Sequence, residues 1–319
     1  MPGSSRPLRC SSHRVQFRRL ARLVQASCLG VAVASPGVAT AAPPLVAAVD
    51  GVLCDLSKTL AGPQLRVQCL IPAGADPHQA VLRPSDRQAL DAAQLVVLNG
   101  YGLTPALKRL RQGTNWVTVA EQAVPQSPGG DPHVWHDPTN LRAMTRSVAA
   151  ALSRLAPSAA TQIQQRSKAA ESVLNDLDNW AGAQIRTIPE ASRIVVSEHR
   201  AFATLARRYG LRELALLPAF TTAGVLRPSS LASISKAVQE SGTRVLFSEN
   251  ASSSKTLRRI SRSSGTPIDP TPLVADGLAT GLSTVQTATR NICTVVSGQG
   301  GRCDRAGAER LNRRWSAIP

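Results

Sequence analysis

The fold of this chain is most restricted by the alternation of short apolar runs with segments of helical pattern. Helical patterns such as 84-PSDRQALDAA-93 and 229-SSLASISKAVQESG-242 lie between apolar runs of strand length. The apolar runs are 44-PLVAAV-49, 65-LRVQCLI-71, 95-LVVLN-99, 193-RIVVS-197, 213-ELALL-217 and 244-RVLFS-248. Strands that alternate with helices predict parallel sheets joined by right-handed crossovers. We therefore expect an α/β fold.

One long segment of helix-forming residues separates the two halves of this pattern. A continuous helix over residues 158–188 would be roughly 45 Å long, which exceeds the width of a small domain. It predicts a rigid strut between two α/β lobes, whereas two ordinary helices with a bend near Gly182 are the alternative. The predicted organisation is a signal peptide at 1–41, an N-terminal lobe at 42–157, a linking helix at 158–188 and a C-terminal lobe at 189–319.

The segment before Ala42 has the pattern of an export signal. Its six arginines, without any acidic residue, precede an uncharged run of small and apolar residues. Ala39 and Ala41 form an A-x-A site, so we expect cleavage before Ala42 and a periplasmic mature protein. Pro36 disfavours a retained membrane-spanning helix. A lipid anchor at Cys28 is disfavoured because the apolar run follows this cysteine instead of preceding it.

The composition argues against a nucleic-acid partner. The formal net charge is +17, but the basic residues are scattered, and aromatic residues make up 3% of the chain. Nucleic-acid-binding surfaces usually combine a basic patch with aromatic side chains that stack on bases. We therefore interpret the charge as a generally basic solvent-exposed surface.

Four cysteines follow the predicted cleavage site, and an exported chain permits disulfides. Cys293 and Cys303 bracket the turn-rich segment 297-SGQGG-301, so a disulfide between them would close a short loop. Two unrelated thiols are the alternative, and the state of Cys54 and Cys69 stays open. The spacing C-x-x-C does not occur, which disfavours a zinc site made of cysteines.

All four histidines of the predicted mature chain fall in predicted loops. His78 and His199 each follow a predicted strand, whereas His133 and His136 precede the helix expected from Pro138. Loops at the carboxyl ends of parallel strands line the ligand crevice of open α/β sheets. We therefore expect imidazoles from both lobes to face one another across a cleft.

Imidazoles gathered in this way predict a site for a borderline divalent metal. Three histidines and one carboxylate would complete a tetrahedral site, and Asp276 and Glu249 are the candidate carboxylates. A water molecule is a further alternative for the fourth position. His136 is only three residues beyond His133, so we expect it to belong to the surrounding framework.

The combination of motifs resembles one family. It is similar to the periplasmic solute-binding proteins of zinc- and manganese-type ABC importers, the zinc-uptake (ZnuA/TroA-like) family, from about Pro44 to at least Leu282. The matching stretches are 72-PAGADPHQ-79, 131-DPHVWHDP-138, 197-SEHRAF-202, 226-LRPSS-230, 244-RVLFSEN-250 and 275-ADGL-278. The resemblance implies two α/β lobes, each with a mostly parallel sheet, bridged by one long helix. It places the metal ligands of the interlobe cleft on His78, His133, His199 and Asp276.

The same resemblance implies a transport function. The expected role is to capture an ion and deliver it to a membrane permease with its ATPase; we expect a monomer that is not an enzyme. Many zinc-uptake members carry a histidine-rich loop before the second motif, but residues 121–131 contain no histidine. Manganese-type members often have Glu at the position of His199, so a third imidazole favours Zn²⁺ over Mn²⁺ as the ion.

Two alternative functions use the same residues. A zinc hydrolase also needs three protein ligands and an open position, but the spacing H-E-x-x-H is missing from the sequence. A metal-binding surface adhesin on the same fold is the second alternative, and it would require retention at the cell surface.

Overall fold

The structure is a computed structural model that describes residues 42–110, 113–217, 219, 228–249 and 252–319. The predicted signal peptide at 1–41, the first two residues of the motif at 226–230 and the last residue of the motif at 244–250 lie outside this part of the chain. None of the described helices has the length and apolar character required to span a bilayer.

The N-terminal half of the described chain forms a four-stranded parallel sheet. The strands are β1 (Leu45–Ala48), β2 (Arg66–Cys69), β3 (Leu95–Leu98) and β4 (Trp116–Thr118). Their spatial order is β2-β1-β3-β4, and Val46 in β1 is paired with Val67 on one side and Leu95 on the other. Only β4 was absent from the predicted strands, because its three residues are too few to form an apolar run.

Both faces of the two inner strands, β1 and β3, are buried, which explains why these strands are continuous apolar runs. Val46, Ala48 and Val97 pack into one core, together with side chains of the helices on that face. Leu45 and Val96, which alternate with them, pack into a second core on the opposite face.

A second, smaller parallel sheet lies in the C-terminal half. It pairs β5 (Ile194–His199) with β6 (Arg212–Leu217). The predicted strand at 244–248 forms only the isolated parallel bridge between Leu246 and Ile268. Pro267, which is next to this bridge, has no N–H and cannot donate to a longer ladder.

Ten helices of the described chain surround the two sheets. They are α1 (Gly51–Ala61), α2 (Pro84–Ala92), α3 (Val119–Ala123), α4 (Pro138–Leu155), α5 (Ala160–Ile185), α6 (Ala203–Tyr209), α7 (Pro228–Glu240), α8 (Lys255–Ser264), α9 (Thr284–Gly298) and α10 (Arg305–Ser316). The predicted α/β class, with two lobes joined by one long helix, is confirmed.

The long helix is α5, and it continues through Gly182 without interruption. Its length is about 39 Å by the rise of an α-helix. Leu174 and Leu177 pack with the N-terminal core, and Ala181 and Ile185 pack with the C-terminal core. The helix therefore contributes side chains to both lobes, although the domain boundaries at 157 and 189 stay a prediction.

The last helix, α10, and the first turn of α9 pack against the N-terminal lobe. Leu311 and Trp315 of α10 belong to the same core as the strands of the first sheet. Asp55 of α1 accepts hydrogen bonds from the Thr284 N–H at 2.8 Å and from the Trp315 indole N–H at 3.2 Å. These contacts give the two lobes a second connection besides α5.

Two disulfides are present, which suits an exported chain. Cys293 is bonded to Cys303, so the short loop considered from the sequence is closed. Cys54 of α1 is bonded to Cys69 at the end of β2.

A buried carboxyl group in the N-terminal lobe predicts an unusual dependence of stability on pH. Asp50 caps α1 by accepting a hydrogen bond from the Leu53 N–H at 3.0 Å, and burial raises the pKa of its carboxyl to about 6. The folded state therefore holds this proton more tightly, and the associated stability is present at low pH and lost as the pH rises through about 6. Ionisation of this group costs the folded state about 3 kcal/mol relative to the unfolded chain.

We expect Asp50→Asn to raise the melting temperature at pH 8 and to change it little near pH 4. Asparagine keeps the capping oxygen but does not ionise. Asp86→Asn is the control, because hydrogen bonds from Arg83 lower the pKa of Asp86, so its loss should destabilise the protein at pH 8. Thermal unfolding at both pH values measures the difference; an Asp50→Asn variant that is less stable at pH 8 would refute the assignment.

Candidate metal centre

Four side chains that are distant in sequence converge between the two lobes. His78 lies in the loop after β2, and His133 directly precedes a single 3-10 turn at Val134–His136. His199 is the last residue of β5, and Asp276 lies in the irregular segment before α9. Because two of these residues follow parallel strands, their positions agree with the rule that ligands bind at the carboxyl ends of such strands.

The ligand-type atoms of this cluster are within 4.8 Å of one another. His133 Nε2 is 3.2 Å from His78 Nε2, 3.4 Å from His199 Nε2 and 3.1 Å from Asp276 Oδ1. Asp276 also lies near the other two rings, with Oδ1 3.2 Å from His78 Nε2 and Oδ2 3.6 Å from His199 Nε2. The structure thus brings together the four residues that the sequence selected.

The cluster is nearly inaccessible to solvent. The His133 and His199 side chains are fully buried, and the Asp276 side chain is 10% exposed. A small cavity of about 120 Å³, lined in part by Asp76, Glu249 and Asp276, lies beside the cluster. An ion held here would lose most of its contact with bulk water.

Two of the rings are oriented by carboxylates behind them. Asp131 Oδ1 lies 3.0 Å from His133 Nδ1 and accepts a hydrogen bond from the His133 backbone N–H at 3.0 Å. Glu249 Oε2 lies 2.5 Å from His199 Nδ1, and Oε1 accepts from the His199 backbone N–H at 3.0 Å. A carboxylate that accepts the Nδ1 proton leaves Nε2 with a free lone pair, which is the usual arrangement of a metal-binding histidine.

Glu249, the other candidate for the fourth position, is therefore engaged behind His199. It does not belong to the cluster of potential ligand atoms, whereas Asp276 does. His136 is also outside the cluster, and its Nε2 lies 2.8 Å from the Ala275 carbonyl oxygen. Trp135 is buried and its ring lies edge-on to the His133 ring, with 5.4 Å between the centroids.

The sequence did not identify the part played by Asp131. The Asp-Pro-His sequence at 131–133 is typical of a turn, but a turn alone does not show where the carboxylate points. The same holds for Thr204 of α6, whose hydroxyl donates to the His133 carbonyl at 2.8 Å. These contacts depend on tertiary proximity and have no local signal.

Burial and neighbouring charges shift the pKa values of this cluster in opposite directions. Burial by itself would lower the pKa of His133, but Asp131 and Asp276 outweigh it and raise the pKa to about 9. Burial would raise the pKa of Asp276, but hydrogen bonds from His133 and His78 hold it well below its usual range. The cluster therefore contains an ionised carboxylate, Asp276, beside a protonated imidazole, His133. A metal ion that binds here would replace this proton as the positive charge next to the carboxylate.

Metal binding at this cluster should release a proton. Below pH 9 the ring of His133 carries a proton that a metal must displace. Burial alone would lower the pKa of His199, but Glu249 outweighs burial and raises this pKa as well, so affinity should increase with pH by at least about tenfold per unit between pH 6 and 8. Zinc titration calorimetry between pH 6 and 8, repeated in buffers of different ionisation enthalpy, measures both the affinity and the number of protons released. An affinity that does not change over this range, with no proton release, would contradict the assignment of His133.

Comparisons with known proteins agree with the fold and with the type of protein. The family model described as "Zinc-uptake complex component A periplasmic" matches residues 46–296. A protein of Halalkalibacterium halodurans named "Manganese-binding lipoprotein MntA" is 28% identical over 268 residues, which cover 77% of this chain and 85% of that protein.

Two solved structures share the fold. The periplasmic zinc-binding protein TroA from Treponema pallidum has a TM-score of 0.76 and 24% identity, and the match covers 82% of this chain and all of that chain. The Fe(III)-bound YtgA structure from Chlamydia trachomatis also has a TM-score of 0.76, with 23% identity and coverage of 81% of this chain and 99% of that chain. At these identities the structures support the fold alone.

Proposed function

Because this chain belongs to the periplasmic zinc-uptake component A family of metal ABC-importer solute-binding proteins, we propose that it captures one Zn²⁺ ion between its lobes. A protein of this family binds and hands over a metal ion and is not an enzyme. The proposed ligands are His78, His133, His199 and Asp276. The observation that carries the proposal is the convergence of their ligand atoms at a buried point between the lobes.

The spacing of these atoms supports a tetrahedral ion. Zinc bonds of about 2.0–2.1 Å in a tetrahedron separate neighbouring ligand atoms by about 3.3 Å. Four of the six pairs among His78 Nε2, His133 Nε2, His199 Nε2 and Asp276 Oδ1 are 3.1–3.4 Å apart. Small adjustments of the rings would therefore be enough to hold zinc.

The donor set supports zinc over manganese. Three imidazole nitrogens and one carboxylate suit a borderline metal, whereas Mn²⁺ prefers sites richer in oxygen. Mn²⁺ is the alternative ion, since relatives named for manganese, zinc and iron share this fold or sequence pattern. The ion is cargo in this proposal, so the site must also release it.

Capture requires that the ion lose its water shell. The four ligands replace that shell, and the Asp276 carboxylate neutralises one of the two positive charges. Displacement of the His133 proton completes the exchange and makes the bound state dependent on pH. We propose that the loaded protein then docks on a membrane permease with its ATPase and releases the ion there.

We further propose that the protein acts in the periplasm after cleavage before Ala42. The A-x-A site at Ala39 and Ala41 and the two disulfides support export. The proposed form in solution is a monomer, with the complete metal site built from one chain.

A metal titration with ligand variants tests the proposed function. We expect purified protein to bind one Zn²⁺ per chain, and to prefer Zn²⁺ when Mn²⁺ competes at equal concentration. His78→Ala and Asp276→Ala should each lower the zinc affinity by at least about a hundredfold, because the remaining ligands no longer complete a tetrahedron. Elemental analysis and competition with a fluorescent chelator measure the stoichiometry and the affinity.

The control is Asp269→Ala. It removes a carboxylate that accepts a hydrogen bond from the Thr271 N–H and is not part of the cluster. It should retain the stoichiometry and affinity of the unmodified protein. Equal zinc affinity in the unmodified protein and in both ligand variants would overturn the site assignment. Stronger binding of Mn²⁺ than of Zn²⁺ would overturn the choice of ion alone.

A further inference from the structure

We propose that His136 is a positioning residue that ties the loops of three metal ligands together without binding the ion. The proposal rests on the proposed metal site and assigns a task to the fourth histidine of the described chain. It concerns how His133 in one lobe is positioned relative to Asp276 in the other. His136 is three residues beyond His133, and it contacts the segments that carry Asp276 and His199.

The first contact reaches the Asp276 segment. His136 Nε2 lies 2.8 Å from the carbonyl oxygen of Ala275, the residue directly before Asp276. A carbonyl oxygen only accepts hydrogen bonds, so the proton of the His136 ring must be on Nε2. Ala275 is 2% exposed, and its carbonyl would find little water as a substitute partner. This bond therefore fixes the backbone at the base of the Asp276 side chain.

The second contact reaches the His199 segment. The His136 ring lies on the ring of Phe202, with 4.7 Å between the centroids and 36° between the planes. Phe202 is fully buried three residues after His199 and packs in the core of the C-terminal lobe. The ring of His136 is thus held from one side while its Nε2–H points to Ala275.

A neighbouring contact strengthens the same connection. The Thr204 hydroxyl donates to the His133 carbonyl at 2.8 Å, so the segment is attached to the C-terminal lobe at the ligand itself and again three residues beyond it. These contacts fix the backbone positions from which His133 Nε2 and Asp276 Oδ1 approach each other to 3.1 Å. Ligands whose loops are held by protein contacts lose less conformational freedom when a metal ion binds.

The test compares variants that separate the hydrogen bond from the packing of the ring. His136→Phe keeps an aromatic ring against Phe202 but leaves the Ala275 carbonyl without its donor. We expect zinc to dissociate about tenfold faster, as is typical when a group that orients metal ligands is lost. His136→Gln offers an amide N–H at similar reach and should restore most of the slow dissociation. Stopped-flow transfer of zinc to a chelator measures these rates.

Two further measurements distinguish positioning from general stability and from direct ligation. Asp55→Ala removes the remote connection between α1 and the C-terminal helices; it should lower the melting temperature and leave zinc dissociation unchanged. The visible spectrum of bound Co²⁺ should keep its tetrahedral form in His136→Phe, because no ligand is lost. Hydrogen exchange of the amides at 275–278 should be faster in metal-free His136→Phe than in the unmodified protein.

Several outcomes would overturn the proposal. These are equal dissociation rates in His136→Phe and the unmodified protein, no recovery in His136→Gln, or equally fast dissociation in Asp55→Ala. If His136→Phe does not fold, ¹⁵N NMR of the unmodified metal-free protein decides. A slowly exchanging Nε2–H on His136 supports the proposal, and an Nδ1–H tautomer refutes it. Failure of the unmodified protein to bind zinc would instead refute the proposed function, and the NMR result would still test the connection to Ala275.

Discussion

The structure depends on one buried carboxylate, Asp276, which faces the imidazoles of both lobes. A charge removed from water is costly unless a partner of opposite sign lies close to it. Here His133 supplies that partner in protonated form, and its pKa is raised accordingly. A divalent ion in the same place would satisfy the carboxylate and the three ring nitrogens at once. Exchange of a proton for a metal ion at a buried carboxylate is therefore the chemical basis of the proposed capture.

Two sets of contacts connect the lobes, one remote from the metal site and one beside it. The long helix α5 contributes to both cores, and the C-terminal helices return to the N-terminal core, where Asp55 holds Thr284 and Trp315. Closer to the site, the Thr204 and His136 contacts attach the His133 segment to the opposite lobe. Lobes connected at several separated points are expected to respond to an ion by local adjustment of loops rather than by wide hinge closure.

Much of this architecture could be predicted from the sequence because its signals are local. The apolar runs identified five of the six strands, and the long uninterrupted segment identified α5. Parallel-strand geometry indicated the positions of His78 and His199, although His199 ends β5 instead of lying in the loop after it, and the family motifs selected Asp276 over Glu249. What the sequence did not reveal depends on tertiary contact: the three-residue strand β4, the Cys54–Cys69 disulfide, the carboxylate of Asp131 behind His133, and the contact of His136 with Ala275. The partners in these contacts are far apart in the sequence or are joined by a turn, and neither case leaves a periodic pattern from which the contact could be predicted.

The most direct test of a shared interlobe site is a crystal structure of the zinc-loaded protein with anomalous diffraction measured on both sides of the zinc absorption edge. We predict one strong anomalous peak at about 2.0–2.1 Å from Nε2 of His78, His133 and His199 and from a carboxylate oxygen of Asp276. His136 should remain hydrogen-bonded to Ala275 in that structure. A peak bound by residues of one lobe alone, or one that includes His136 or Glu249 in place of Asp276, would show that the lobes do not share the ion as described.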